Sequence, residues 1–227
     1  MADQDELQEF IKQEYKTHFR RLAVNMEIDE AAKMLKQFYK VEVECRNLNF
    51  IDDKETHSSI ENVAKWLTTN QKAGLLIYGN TGNGKTTLAN ALCRFMAFLE
   101  FSKYKKEKEF RGPMQTPEFN PVKKITAYEL AILPRIDEEK YQNLKRCDML
   151  FLDDLGVEQT TIKIYGTASD PFIELLFHRY ERMRPTIITS NLSLENIKEK
   201  YGDRVFDRFS EMFYKIGFTH KSYRSKQ

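Results

Sequence analysis

The segment GLLIYGNTGNGKTTLANAL places a phosphate-binding motif between an apolar run and a helix-forming run. Residues 79–86 match the pattern GxxxxGK[ST], directly after the apolar run Leu75 to Tyr78. In such a loop, glycines let successive backbone N–H groups turn inward, and the following helix points its positive end at the phosphates. Lys85 would add a point charge and Thr86 a Mg²⁺ ligand. The residues predicted to hold the phosphates are Gly79, Asn80, Thr81, Gly82, Asn83, Gly84, Lys85, Thr86 and Thr87.

A second segment, CDMLFLDDLG, supplies the carboxylates that a phosphate site of this kind requires. Residues 149–152 are apolar and predict a buried strand that ends at Asp153 and Asp154. We expect Asp153 to hold Mg²⁺ through water and Asp154 to polarise the attacking water as a general base. The alternative is that the pair only begins a turn before Gly156.

A third segment ends an apolar strand at Thr189, Ser190 and Asn191. Ligands gather at the carboxyl edge of such sheets, so the Asn191 amide could orient the attacking water against the γ-phosphate. On local grounds, an Asx turn that leads into a helix capped by Ser193 fits equally well.

A fourth segment, DRVFDRF, places Arg204 and Arg208 at i and i+4 on one helical face. One of them could serve as an arginine finger, which neutralises transition-state charge in phosphoryl transfer. The competing interpretation is pairing with Asp203 and Asp207 within the helix.

The pattern beyond Val41 alternates short β-rich runs with helical segments, which favours an α/β fold with a parallel sheet. The stretch from Ser102 to Pro121 interrupts the alternation, and its Lys, Glu and Pro content predicts an exposed loop. The five predicted strands are Leu75 to Tyr78, Lys123 to Thr126, Met149 to Leu152, Thr186 to Thr189 and Phe213 to Phe218.

Two amphipathic helices are predicted before this domain, over residues 3–22 and 29–40, because apolar residues recur there at helical spacing. Mixed charges along both segments fit a strut packed on the domain or a free arm that binds a partner. We divide the chain into an N-terminal helical partner-binding segment, residues 1–40, and a phosphate-binding α/β domain, residues 41–227.

Composition excludes several function classes. The 227 residues carry a net charge of +2, too small to indicate nucleic-acid binding by itself. Cys45, Cys93 and Cys147 lie far apart, which supports neither a zinc site nor a disulfide framework. The acidic start and the lack of a long apolar run favour a cytoplasmic protein with no membrane contact.

These four segments in this order, followed by S-Y-R near the end, resemble the DnaC and IstB branch of the AAA+ ATPases from about Val41 to Arg224. The resemblance implies a three-layer αβα P-loop domain with a five-stranded parallel sheet and no C-terminal helical lid. It also implies ATP or ADP with Mg²⁺ as cofactors. By the same resemblance residues 79–86 are Walker A, Asp153 and Asp154 are Walker B, and Asn191 is sensor 1. Arg208 would be the finger that acts in trans, and Arg224 the sensor 2 arginine.

The implied activity is ATP hydrolysis, slow and switch-like because Asp154 stands where many AAA+ proteins carry the longer Glu. The implied role is to load a replicative hexameric helicase on single-stranded DNA, with self-association through the ATP site. A transposition helper that acts on duplex DNA uses the same core and stays open as the alternative. A small-molecule kinase ranks third, since it would leave Asn191 and Arg208 unexplained.

Candidate DNA contacts combine basic residues with aromatic ones, a pattern that suits phosphate neutralisation and base stacking. Interspersed Glu residues also fit a plain solvated surface. The candidates are Lys103, Lys105, Lys106, Lys108 and Arg111 with Tyr104 and Phe110, and Arg135, Lys140, Lys145 and Arg146 with Tyr141.

Overall fold

The computed structural model describes residues 4, 6–9, 24–69, 71–111, 121–158, 162–164, 167–218 and 223, with the backbone alone for 107–111, 162–164 and 167–169. Its strands are β1 Gly74–Gly79, β2 Val122–Thr126, β3 Met149–Leu155, β4 Ile162–Ile164, β5 Thr167–Ser169, β6 Thr186–Ser190 and β7 Phe213–Phe218. Its helices are α1 Ile28–Glu44, α2 Lys54–Thr69, α3 Lys85–Arg111, α4 Ala127–Ile136, α5 Glu138–Arg146, α6 Pro171–Glu181, α7 Leu194–Tyr201 and α8 Asp203–Met212.

Five strands form one sheet in the order β2-β3-β6-β1-β7, and every neighbouring pair is parallel. All five strands predicted from the sequence are therefore confirmed. Strand β3 runs three residues further than expected, and its register against β6 shifts between Leu152 and Leu155, around the two aspartates. The remaining strands, β4 and β5, pair antiparallel outside this sheet.

Helices cover both faces of the sheet, because successive strand residues point to opposite sides. Leu75 and Ile77 of β1 pack in one apolar cluster with residues of α1, α2 and α3. Leu76, between them, packs in a second cluster with residues of α4 to α8. The two clusters establish the three-layer αβα arrangement, and the fold class expected from the sequence is confirmed.

Local sequence signals start several of these helices. Thr126 and Glu129 form a capping box at the start of α4. The Asp170 carboxylate caps α6 ahead of Pro171, and the Ser193 hydroxyl caps α7. Of these three helices, α4 begins directly after β2, α6 begins two residues after β5, and α7 begins four residues after β6.

The loop predicted over Ser102 to Pro121 is wrong in its first half, because α3 continues to Arg111. Lys and Glu are good helix formers. Ion pairs between residues three apart also stabilise the helix, as between Lys103 Nζ and Glu100 Oε1 at 3.1 Å. Gly112 and Pro113 follow its last turn. Residues 112–120 lie outside the described part of the chain.

Helix α1 confirms the helix predicted over residues 29–40 and extends it to Glu44, past the division at residue 40. Ala31 and Leu35 are fully buried in the cluster shared with α2 and α3. This segment is therefore packed on the domain as a strut. Of the helix predicted over residues 3–22, only residues 4 and 6–9 are described, and they are helical. In the described ranges, no helix combines the length and apolar character needed to cross a membrane.

Candidate nucleotide-binding site

The predicted phosphate loop joins the end of β1 to the start of α3. Gly79, Gly82 and Gly84 have φ values of 125°, 81° and 92°, in the region that favours glycine. A Cβ at Gly79 would overlap the Phe218 carbonyl oxygen, which also accepts the Asn80 N–H at 3.1 Å. The loop is therefore held against the end of β7, and Gly79 is needed both for its conformation and for this close approach.

Lys85 is the first residue of α3, and its ammonium group is buried under the phosphate loop. Its Nζ donates to the carbonyl oxygens of Gly79 at 2.9 Å and Asn80 at 2.6 Å, and to Asn83 Oδ1 at 3.3 Å. Asn83 is completely buried and donates from Nδ2 to the Phe218 oxygen at 2.7 Å. These contacts fix the positive charge at the centre of the loop.

Asp153 is buried at the end of β3, next to the first turn of α3. Its Oδ1 accepts hydrogen bonds from the hydroxyls of Thr86 at 2.9 Å and Thr189 at 2.6 Å. Lys124 Nζ lies 3.5 Å from its Oδ2. A carboxylate beside a threonine hydroxyl is the oxygen donor set that Mg²⁺ accepts with phosphate and water ligands. Thr86 and Asp153, the predicted metal residues, are thus brought together and fit that ion.

Asp154 follows in a left-handed conformation with φ of 58°, and its N–H donates to the Thr189 hydroxyl at 2.9 Å. Its Oδ1 accepts from Asn191 Nδ2 at 3.3 Å. Burial raises the pKa of the Asp154 carboxyl, the neighbouring Asp153 charge raises it further, and Lys85 and the Asn191 hydrogen bond lower it. A carboxylate with a raised pKa beside a fixed amide is suited to accept a proton.

The alternatives left open for these residues are partly realised. The hydroxyl of Ser190, rather than the amide of Asn191, accepts the Leu192 N–H at 3.1 Å, and Ser193 caps α7. A turn does follow β3, because the backbone carbonyl oxygen of Asp154 accepts the Val157 N–H at 3.4 Å. These local bonds leave the Asn191 amide directed to Asp154.

A cavity of about 430 Å³ lies over the loop. Strand β6 lies between β1 and β3, so Asn191 enters the cavity between the loop and Asp154. Phe50 and Ile51, expected near a base, line it as well. The sequence did not single out the other lining residues before the loop: Tyr39, Val43, Arg46, Leu48, Asn49 and Thr56.

Tyr39 and Tyr223 close the cavity from opposite ends of the chain. A Cβ at Gly84 would overlap the Tyr39 hydroxyl, so α1 touches the phosphate loop directly. Tyr223 donates its N–H to the Gly82 oxygen at 3.0 Å, and its hydroxyl lies 2.9 Å from Asp53 Oδ1 and 3.0 Å from the Thr56 hydroxyl. The i, i+4 spacing of Tyr39 and Val43 was the one signal in the sequence that could have placed them on a common face.

Arg208 does not line the cavity among the described residues. Its guanidinium lies over the rings of Phe177 and Tyr180, 4.4 and 5.0 Å from their centroids, and Arg204 also lies over Phe177. Asp203 pairs with Lys198 of α7 at 2.9 Å, and not with an arginine of its own helix, α8. The competing interpretation of pairing with Asp203 is thus not what this helix shows. Arg224 lies outside the described residues.

Three of the residues predicted to contact DNA are buried, so the prediction is wrong for them. Tyr141 is 1% exposed, with its hydroxyl donating to the Pro171 oxygen at 2.9 Å, and Tyr104 is also buried. Lys145 is buried and pairs with Glu174 at 2.5 Å. Because these two aromatic rings and this lysine are buried in the domain, they cannot stack on bases or neutralise phosphates. The candidates that stay exposed are Lys103, Lys105, Lys106, Arg135, Lys140 and Arg146, and the side chains of Lys108, Phe110 and Arg111 lie outside the described part.

A parallel sheet in which an inner strand, β1, leads into a glycine loop, with a carboxylate pair at the end of β3 two strands away, defines the P-loop class of α/β folds. The AAA+ fold expected from the sequence belongs to this class. The chain is also similar to several solved structures. The crystal structure of DnaI matches 81% of this chain and 94% of its own at 19% identity, with a TM-score of 0.48.

Two DnaA structures are also similar. AMPPCP-bound DnaA from Aquifex aeolicus matches 74% of this chain at 23% identity, with a TM-score of 0.47. The replication initiator DnaA bound to AMPPCP and single-stranded DNA matches 76% at 22% identity, with a TM-score of 0.46. The chain spans 48% and 50% of these two DnaA chains. At such identities the similarity concerns the fold. No protein-family model and no curated protein matches the chain.

Proposed function

We propose that the chain binds ATP and ADP at this cavity and hydrolyses ATP. One observation carries the proposal: Lys85, Asp153 and Asp154 converge with the amide of Asn191 around the phosphate loop. A positive charge, a metal-binding carboxylate and a carboxylate able to take a proton are the parts that phosphoryl transfer to water requires.

The residues divide the work by position. Backbone N–H groups of residues 79–87 and the start of α3 hold the phosphates, and Lys85 adds its charge. Asp154 takes the proton of the attacking water, which the Asn191 amide orients. Mg²⁺ held by Thr86 and Asp153 would supply charge neutralisation on the phosphate oxygens.

Binding and turnover must separate in single-residue variants. Lys85→Ala should abolish ATP binding, measured by equilibrium binding of a fluorescent ATP analogue. Asp154→Asn should bind the analogue as well as the unchanged protein yet release no phosphate, because an amide cannot accept the proton. Normal hydrolysis by Asp154→Asn would remove Asp154 as the base.

The protomers associate through the ATP site in this proposal, with Arg208 as the finger that completes a neighbour's site. Support comes from the resemblance to the DnaC and IstB branch and from the position of Arg208 outside its own cavity. Arg208→Ala should lower ATP hydrolysis. Adding Lys85→Ala protein, which keeps its finger, should restore part of the rate. Arg204→Ala, on the same helical face, is the matched control, and failure of every such mixture would count against a shared site.

We further propose that the protein acts in DNA replication and loads or remodels a hexameric helicase on single-stranded DNA. The support is the similarity of G-N-T-G-N-G-K-T, F-L-D-D-L-G, T-S-N and G-D-R-V-F-D-R-F to that same branch. The ATPase rate should rise more than linearly with protein concentration and respond to single-stranded DNA at a fixed salt concentration. A response to duplex DNA alone would favour the transposition helper, and a linear rate indifferent to DNA would favour a self-contained site.

A further inference from the structure

Arg46 brings a cation into the nucleotide cavity from outside the recognised motifs. It follows helix α1 by two residues, and its side chain is 42% exposed where it lines the cavity. Nη1 donates to the Thr87 hydroxyl at 2.9 Å, and Nη2 donates to Glu42 Oε2 at 3.4 Å. The guanidinium is therefore fixed beside the first turn of α3.

The contact with Thr87 places Arg46 at one particular end of the phosphate loop. In loops of this pattern the backbone N–H groups hold the α- and β-phosphates, the lysine reaches the β- and γ-phosphates, and the next hydroxyl meets Mg²⁺. Here Lys85 and Thr86 have those last two roles. Thr87 is one residue further, so Arg46 lies on the side that remains, the side of the α-phosphate.

The apolar lining of the cavity leads to the same position. Val43, Leu48, Phe50 and Ile51 flank Arg46 in the sequence and line the cavity with it, as a surface suited to a base. A nucleotide that spans from this surface to the phosphate loop passes Arg46 at its sugar and first phosphate. A planar guanidinium with several donors matches a phosphate in charge and geometry.

The charged groups around Arg46 carry an excess of positive charge, which favours binding of an anion. Glu42 is 7% exposed and is shared between Arg46 and Arg94, whose Nε donates to Glu42 Oε1. Two cations around one carboxylate give the group a formal charge of +1. Arg94 is 69% exposed on the protein surface, whereas Arg46 faces the cavity.

We propose that Arg46 binds the α-phosphate of the bound nucleotide. The inference rests on the proposed nucleotide-binding function and adds a residue to it. Because ADP and ATP both carry an α-phosphate and adenosine carries none, Arg46 contributes equally to the two nucleotides and nothing to the nucleoside.

The test compares Arg46→Ala with Arg94→Ala. Each variant removes one arginine that pairs with Glu42, but Arg94 does not line the cavity. The Kd values for ATP, ADP and adenosine are measured by competition with a fluorescent ADP analogue, after circular dichroism shows that each variant is folded. Arg46→Ala should raise the Kd of ATP and of ADP by the same factor, about tenfold or more, the effect of losing a charge-assisted hydrogen bond. Its Kd for adenosine should not change, and Arg94→Ala should stay within about twofold of the unchanged protein for all three.

Arg46→Lys keeps the charge without the planar fork and should recover part of the affinity; it replaces Arg46→Ala if that variant does not fold. Unchanged nucleotide affinity in both Arg46 variants would overturn the inference and leave the proposed function standing. A loss confined to ATP would place Arg46 at the γ-phosphate, and an equal loss for adenosine would show a structural role. If the unchanged protein binds neither ATP nor ADP, the proposed function itself fails, and the inference with it.

Discussion

Asn83 is the residue whose replacement tests most sharply how the phosphate loop is held. Its carboxamide donates to the Phe218 oxygen at 2.7 Å and accepts from Lys85 at 3.3 Å, fully buried in both contacts. In Asn83→Ala both bonds are lost. The Phe218 oxygen still accepts from Asn80 N–H, and Lys85 still donates to two carbonyls, so neither group is stranded. At about 1 kcal/mol for each bond, the loss of unfolding free energy is about 2 kcal/mol.

The assay is urea unfolding followed by circular dichroism, with Asn80→Ala as the matched control. Asn80 is the same residue type in the same loop, but its side chain is exposed. With an m-value of about 3 kcal/mol/M, Asn83→Ala should lower the urea midpoint by about 0.7 M. Asn80→Ala should change the free energy of unfolding by less than about 0.5 kcal/mol. Equal midpoints for the two variants would refute the claim that Asn83 ties the loop to β7.

Three further changes test other contacts of the site. Asn191→Ala removes a hydrogen bond that lowers the pKa of Asp154, so the acid limb of kcat should move to higher pH; an unmoved limb in a kcat profile would count against the pair. Gly79→Ala puts a side chain at φ of 125° against the Phe218 carbonyl and should lower the free energy of unfolding by about 2 kcal/mol or more; denaturation at the normal urea midpoint would show that the loop can shift. Tyr223→Phe removes the hydroxyl that meets Asp53 and Thr56 and should lower thermal stability by about 1 kcal/mol, whereas a retained Tm would show that this contact adds nothing.

The sequence predicted the parts of the site that local rules govern. A glycine loop between an apolar strand and a helix predicts a phosphate-binding turn, and two aspartates that end a buried strand lie at the carboxyl edge of the sheet. The Asn191 amide was placed on the same reasoning, because β6 ends at that edge. The five strand positions followed from apolar runs in the same way.

The parts that were missed depend on contacts between distant segments. Nothing local to Tyr39 or Arg46 reveals that α1 ends against the phosphate loop, since Arg46 meets Thr87 across 41 residues. Lys145 and Tyr141 looked exposed in a charged segment, yet Glu174 of α6 accepts from both. The loop predicted after Ser102 was wrong because Lys and Glu, although polar, have high helix propensity and continue α3 to Arg111.

In the proposed function, one cavity binds ATP through Lys85 and hydrolyses it through Asp154. The most direct test is single-turnover hydrolysis of radiolabelled ATP by the unchanged protein and by Asp154→Asn, with ATP binding measured on the same samples. We expect the two proteins to bind ATP equally, the unchanged protein to release phosphate, and the variant to release none. Equal phosphate release from both proteins would rule out Asp154 as the base, and absence of ATP binding in the unchanged protein would rule out the proposed function.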